Sequence, residues 1–273
     1  MFTSIFLWFS RFFSAFTADS FTVATFNIRC PADETPHTWQ ERKNRCISVI
    51  QRNKFDIFGV QEAMKHQLDD LVETGEYQYI GGGRDDFKEN GEHSAILYRK
   101  DRFEFLKGGT FGLSEKPDVP GFKSWGTAYP RIATWGLFLD KKSKKKFIYY
   151  NTHLDHKSEE ARIRGIELLV NHAKLNMPGV PLIISGDFNA QPDSKTYQTA
   201  SSLLNDSAEV SESGHKGHPG TFHGFGKYKA EAPIDYIFVS NDFKVFEHWT
   251  DDTKFQEGYP SDHYPVIIKL TLR

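Results

Sequence analysis

Apolar runs of about four to eight residues, each closed by a polar residue or a glycine, recur along the chain. Residues 21–28, 55–60, 147–152, 180–184, 234–239 and 264–270 read as buried strands, and residues 93–98, 103–111 and 131–139 as further ones. Between them the spacing changes to the helical period. Residues 38–53 bring Trp39, Cys46, Ile47 and Ile50 near one face with Thr38 as N-cap, and residues 157–176 do the same with Ile163, Ile166, Leu169 and Val170. Asp193 or Ser194 caps a further short helix. Strands and helices interleave, yet some strands meet directly across turns such as residues 140–146. This combination predicts an α/β protein, a four-layer sandwich of two mixed β-sheets packed face to face with helices outside.

Polar residues gather where the strands end. The run 180–184 leads into Ser185, Gly186, Asp187, Phe188 and Asn189. Alternation along an extended chain sends Asp187 and Asn189 to one side and Phe188 into the core. Residues 21–28 finish near Asn27, residues 55–60 deliver Gln61 and Glu62, and residues 147–152 deliver His153; residues 234–239 carry Asp235, and Asp262 and His263 precede the last strand. Any one of these is an ordinary turn or cap residue. Together they put carboxylates, amides and imidazoles at strand ends, the usual ligand position in α/β sheets.

Composition narrows the function. Although 273 residues is long for one domain, a two-sheet sandwich reaches that size as one unit, and 24 phenylalanines can fill a thick core. The polar clusters come from both ends of the chain, so residues 19–273 are expected to form one domain. With 34 basic and 36 acidic residues, the net charge of −2 argues against holding long duplexes by bulk electrostatics. No CxxC, paired-histidine zinc motif, GxGxxG or P-loop is present, so zinc hydrolases and nucleotide switches lack their required residues.

The ordered set Thr25-Phe26-Asn27, Gln61-Glu62, Asn151-Thr152-His153-Leu154, Gly186-Asp187-Phe188-Asn189, Ile234-Asp235-Tyr236-Ile237-Phe238 and Ser261-Asp262-His263 resembles the metal-dependent endonuclease/exonuclease/phosphatase superfamily, the fold of deoxyribonuclease I. The motifs span nearly the whole chain. Pro192, Ser194 and Tyr197, with Thr221-Phe222-His223-Gly224, look most like the deadenylase and nocturnin branch and its bacterial-type relatives.

A phosphoester repels incoming hydroxide, so its hydrolysis needs cationic groups, an activated water and donors to the phosphoryl oxygens. An oxygen donor set without a cysteine or histidine cage suits Mg²⁺ or Mn²⁺, with Glu62 as first ligand and Asn27 and Asp262 beside it. The resemblance implies the same ligands. It also implies that Asp187 orients or deprotonates water, Asn189 holds the phosphate, and His153 and His263 donate to phosphoryl oxygens. Each histidine then needs a carboxylate on its other nitrogen. Asp235 is the expected partner of His263, and Glu92, on a segment resembling the matching strand of deoxyribonuclease I, that of His153. Arg131 is either a phosphate clamp or a surface arginine.

The expected activity is divalent-metal-dependent phosphodiester hydrolysis, with the branch resemblance pointing to 3′-to-5′ trimming of RNA or other single-stranded nucleic acid by a monomer. A phosphatase or phospholipase-like hydrolase of a small phosphoester is the alternative, and a catalytically silent binding module on the same fold is the alternative of another class. His156 reads as a solvated residue, Trp125 as loop packing, and residues 141–146 as a hairpin turn. Cys30 and Cys46 are too few for a disulfide scaffold. Residues 1–18 are apolar and precede the first strand, as in a cleaved leader, but Arg11 interrupts them, no basic region precedes them, and Phe16 stands where a small residue is preferred. An uncleaved anchor or a packed extension remain alternatives, and location stays open between secreted and cytoplasmic.

Overall fold

The computed structural model describes residues 19–273; the leader, anchor or extension considered for residues 1–18 lies outside them. In chain order the first elements are β1 (Phe21–Asn27), α1 (Trp39–Arg52), β2 (Ile57–Gln61), α2 (Lys65–Val72), β3 (Tyr77–Ile80), β4 (Ile96–Arg99), β5 (Phe103–Gly112) and β6 (Ile132–Asp140). Then follow β7 (Lys146–His153), α3 (Glu159–Asn176), β8 (Leu182–Asp187), α4 (Lys195–Leu203), β9 (Asn205–Asp206), β10 (His215–Gly217), β11 (Asp235–Val239), β12 (Phe243–Thr250) and β13 (Val266–Leu272).

Seven strands form one mixed sheet in the order β10-β12-β13-β1-β2-β4-β3, and six form the other in the order β5-β6-β7-β8-β11-β9. Phe21, Phe103, Phe138 and Phe147 fill the space between the sheets, with neighbouring ring centroids 5.3 to 5.8 Å apart. The outer face of the first sheet packs on α1 and α2 through Trp39, Cys46, Val49 and Leu68. The outer face of the second packs on α3 and α4 through Ile166, Leu169, Val170 and Ala200. Helix, sheet, sheet and helix are therefore four layers, and the central strands β1, β2, β7, β8 and β11 bury both faces, whereas at the edges β5 is partly and β10 fully exposed.

Local signals act as the sequence indicates. Thr38 precedes α1 and gives its backbone N–H to Glu41 at 3.1 Å, while Ser158 and Ser194 accept the backbone N–H groups of Ala161 and Tyr197, each at 3.2 Å. The lysine-rich segment after β6 is a hairpin turn in which Asp140 takes the Lys142 N–H at 3.1 Å and the Ser143 hydroxyl at 2.7 Å. Cys30 and Cys46 are both free thiols.

The topology gathers one edge. β1 runs parallel to β2 and β7 parallel to β8, so all four present their C-terminal ends together. β11 pairs antiparallel with β8, placing Asp235 opposite Asp187, and β13 pairs antiparallel with β1, so His263 enters at that same edge. A buried polar chain ties the sheets beneath it. Gln61 donates to Asn151 at 2.7 Å and to Thr25 at 3.0 Å, Ser185 reaches Asn151 at 3.3 Å, and the Tyr149 hydroxyl meets Ser185 at 2.7 Å. Gly59 leaves room for this chain, since a Cβ there would stand 2.3 Å from the Asn151 amide. Paired at all but the Gln61 Oε1, which has no partner among the described residues, such a network favours one register between the layers.

Candidate active site

A cleft of about 610 Å³ opens at this edge, and its walls include Glu62, Glu92, Arg131, His153, Asp187, Asn189, Asp262 and His263. Asn27 lies buried beneath them. The residues singled out from the sequence thus converge, although not with every partner expected of them.

Asp187 stands at the centre. Its Oδ1 accepts the Asn189 backbone N–H at 2.9 Å and its Oδ2 the Asn27 amide at 3.0 Å, with Nε2 of His153 at 3.5 Å and of His263 at 3.8 Å. Phe188 is buried in the core, as alternation requires. The turn of Asn189 toward the cleft comes instead from its left-handed backbone, φ 48°, held by that Asp187 bond. Burial, then repulsion from Asp235, raises the Asp187 carboxyl to about 7. It is therefore poised to exchange a proton near neutrality.

His263 has the partner anticipated for it, donating from Nδ1 to Asp235 Oδ2 at 2.9 Å. Burial works against its charged form, but Asp235 and then Asp187 outweigh it and raise the imidazole to about 10. His263 is thus a cation with Nε2 turned toward Asp187.

His153 departs from expectation. Glu92 is taken by Arg84 at 2.7 Å, and the buried Nδ1 of His153 has no hydrogen-bond partner among the described residues. No carboxylate–imidazole pair forms there. Burial, then Arg131, holds His153 well below the ordinary histidine value. As a neutral ring it accepts the Asn189 amide at Nε2, 3.0 Å away. Asn189 also donates to the Leu154 carbonyl at 3.0 Å, so its amide hydrogens orient His153 and the strand end instead of facing a phosphate.

The acidic side of the cleft is built on Glu62, whose backbone is also left-handed at φ 61°. Its carboxylate accepts from the Asn27 amide at 3.1 Å, the Cys30 N–H at 3.1 Å and Arg29 at 3.4 Å. Such an unusual conformation persists where its surroundings over-determine it, as those three donors do. Burial opposes ionisation, but the Arg29 guanidinium and the Asn27 amide, with His153 when that ring carries a proton, outweigh it and hold Glu62 at about 2. Asn27 turns its nitrogen to Glu62 and Asp187 and its oxygen to the Arg29 N–H at 3.0 Å, so it bridges two carboxylates where an oxygen ligand was expected.

The donor set fits a hard divalent cation. Glu62, Asp33 and Asp262 surround one guanidinium, that of Arg29, at 3.4, 2.9 and 3.7 Å. A positive group already rests among these carboxylates, the kind of oxygen environment that holds Mg²⁺-like ions. Asp187, Asp235 and His263 also place ligand atoms within 4.8 Å of one another. A protonated His263 offers no lone pair, however, so that trio stores a proton better than it holds a metal.

Two arginines complete the cleft. Arg131 is buried, which removes the surface reading. It donates to Asp155 at 3.3 Å and bonds His156 at 3.1 Å, leaving Nη1 without a protein partner among the described residues. Asp155 also takes the Lys157 and Ser158 N–H groups at 2.9 Å each, locking Arg131 to the start of α3. His156 is exposed, as the sequence suggested, but it does line the cleft. Trp125 lies against α3, its ring 5.8 Å from the Arg164 guanidinium.

Sequence reasoning missed Arg29, Arg84 and Asp33, which sit in loops with no periodicity to mark them. It also missed Arg42. This fully buried side chain donates to the carbonyls of His37, Ile28 and Pro260 at 2.7, 2.8 and 2.9 Å, clamping the loops that carry Arg29 and Asp262. Arg42 and Arg45 interrupting an apolar helical face were the available signal.

Residues 24–263 match the model of the Endonuclease/Exonuclease/phosphatase family. The chain belongs to this family. Among solved structures, the endonuclease/exonuclease/phosphatase from Bacteroides vulgatus is 36% identical with a TM-score of 0.88, covering 93% of this chain and 99% of that one. A mannosyl-6-phosphatase from Bacteroides thetaiotaomicron is 37% identical with a TM-score of 0.87, covering 92% of this chain and 100% of that one. Nocturnin from Drosophila melanogaster is 24% identical over 90% of this chain and 44% of its own length. The bacterial and nocturnin likenesses drawn from the motifs are both present. Members of the family are phosphoric ester hydrolases, and this chain is one of them.

Proposed function

We propose that the chain is a Mg²⁺- or Mn²⁺-dependent phosphatase that hydrolyses the monoester of a small organic alcohol. The observation that carries this reading is a compact cleft of about 610 Å³ in which base, imidazolium and carboxylates meet. That volume suits a small ligand. The net charge of −2 argues against holding a long polyanion by bulk electrostatics, and the mannosyl-6-phosphatase at 37% identity supports a small phosphoester.

A divalent ion held by Glu62 and Asp262 would supply positive charge to the phosphoryl oxygens. The chain's own groups do the rest. Asp187 orients a water molecule and accepts its proton, aided by a carboxyl raised into the neutral range. His263, charged and fixed by Asp235, donates from Nε2 to a phosphoryl oxygen. Arg131 offers Nη1, and the Asp155 and His156 contacts hold it in place. Asn189 keeps His153 and Asp187 in mutual register.

Stepwise 3′ trimming of RNA is the second reading, favoured by aromatic residues on the cleft wall that can stack a terminal base. The test compares kcat/KM for a panel of small phosphomonoesters, a 3′-labelled RNA oligomer and the same oligomer blocked at its 3′ end. Monoesters should be turned over fastest. Faster shortening of the unblocked RNA would transfer the assignment to the exonuclease, equal cleavage of both RNAs would indicate an endonuclease, and inertness toward all with retained ligand binding would leave the binding module.

A further inference from the structure

The loop between β10 and β11 bears three aromatic residues, and only one is used to hold it. Phe225 stacks on His37 with centroids 4.0 Å apart and planes 12° apart, 5.5 Å from the buried Arg42 guanidinium. Phe222 and Tyr228 instead stack on each other at 5.6 Å and 30°, line the cleft and remain 36% and 61% exposed. Two stacked rings facing water forgo burial that most aromatic side chains obtain.

Their position is not a loose excursion of the loop. Phe222 bridges to His263 in the backbone, and its ring centroid lies 5.0 Å from the imidazole. The next two N–H groups, of His223 and Gly224, both bond the Asp262 carbonyl, at 2.9 and 3.1 Å. Thr221 accepts the Tyr264 N–H at 2.8 Å and, at its hydroxyl, the Ile234 N–H at 3.0 Å. Gly224 has φ +56°, and a Cβ there would stand 2.5 Å from the Tyr228 ring. The seat of Tyr228 therefore requires glycine. The rings are tied to the same two residues, Asp262 and His263, that face the phosphoryl centre, so their distance from it is fixed.

We infer that the Phe222–Tyr228 stack is the platform for the alcohol part of the substrate, and that this alcohol is a pyranose, as in a hexose 6-phosphate. The assignment rests on the phosphatase reading above. A pyranose has an apolar C–H face, which lies against an aromatic ring, and an edge of hydroxyls, which need charged or polar partners. The cleft supplies both. Lys227, adjacent to the platform, lines it without an ion-pair partner among the described residues, and Arg84, at 4.8 Å from the Tyr129 ring, adds further donors.

The test measures kcat/KM of the metal-supplemented protein for mannose 6-phosphate, glucose 6-phosphate, the ringless glycerol 3-phosphate, and adenosine 3′-monophosphate. Wild type should prefer a hexose 6-phosphate over glycerol 3-phosphate. Tyr228→Ala and Phe222→Leu should each lower that ratio by about tenfold, the scale of one lost ring stack, chiefly through KM. Tyr228→Phe and Phe222→Tyr should restore it, which a merely structural loss of the loop would not allow, and circular dichroism with thermal melting checks the fold. An unchanged ratio in folded variants, or no preference for a ring in wild type, overturns the platform while the phosphatase stands. Preference for the nucleotide, lost in the same variants, makes the platform a base stacker and overturns the pyranose. No turnover of any monoester overturns both.

Discussion

Replacing Asp187 with asparagine should make the protein more stable while removing its activity. The side chain is enclosed at the cleft floor, and burial together with Asp235 raises its carboxyl from the ordinary 3.8 to about 7. At about 1.36 kcal/mol per pKa unit, an ionised Asp187 costs the folded chain on the order of 4 kcal/mol. The sign follows from proton counts. Between the unfolded and folded values the native state binds more protons, so stability falls as pH rises through that window and the cost is complete above about 7. The amide removes it without changing shape, but its single oxygen keeps only one of the two donors, the Asn189 N–H or the Asn27 amide, that now bond separate carboxylate oxygens. Part is returned because His263 draws some of its raised value from Asp187, though Asp235 remains its main support. A net gain of about 2 kcal/mol at pH 8 is expected, shrinking to nothing near pH 4. Turnover should fall by about 10²-fold or more, as for loss of a general base. Urea denaturation of both proteins in chelator at pH 4 and 8, with steady-state kinetics in Mg²⁺, reads both quantities. A folded variant with near-normal turnover, or one less stable than wild type at pH 8, would refute the reasoning.

Chelation followed by dialysis should abolish turnover and Mg²⁺ or Mn²⁺ should restore it, whereas Glu62→Gln should weaken Mn²⁺ binding in calorimetry by at least about tenfold; undiminished hydrolysis in excess chelator would reject the metal role. Asp235→Asn should drop the His263 imidazole from about 10 toward the ordinary 6.5, visible as an NMR titration moving into the neutral range, with a fall in kcat. Arg42→Gln leaves the carbonyls of Ile28 and His37 without their donor and Pro260 with only the Cys46 thiol, and should cost about 3 kcal/mol or more in denaturant melts, so an unchanged midpoint would show the clamp to be dispensable.

Much of the fold was legible because both faces of most strands are buried, and a continuous apolar run is then a local property of the chain. The runs ending at Asn27, Gln61, His153 and Asp187 appear in the structure within a few residues of their sequence bounds. β12 was overlooked, since Lys244, Glu247 and His248 interrupt its apolar positions, and the short β3, β9 and β10 draw on pairing with neighbours more than on their own pattern. The assembly of Asp187, Asp235, His263, Glu62 and Asp262 at one edge was also legible, because strand direction places those termini together.

Side-chain partnership was a different matter. Whether Glu92 meets His153 or Arg84 depends on a loop that folds back over the site, and neither spacing nor residue type separates the two. The same holds for the orientation of Asn27, for Arg29 lodged among three carboxylates, and for Phe222 and Tyr228 left exposed while Phe225 is turned inward. The sequence by itself determined which strands form and which chemistry gathers at their ends, since burial and chain direction are set locally. Only the tertiary structure decided which charge neutralises which, because competition among groups distant in sequence is settled by distances that exist only once the sheets have packed.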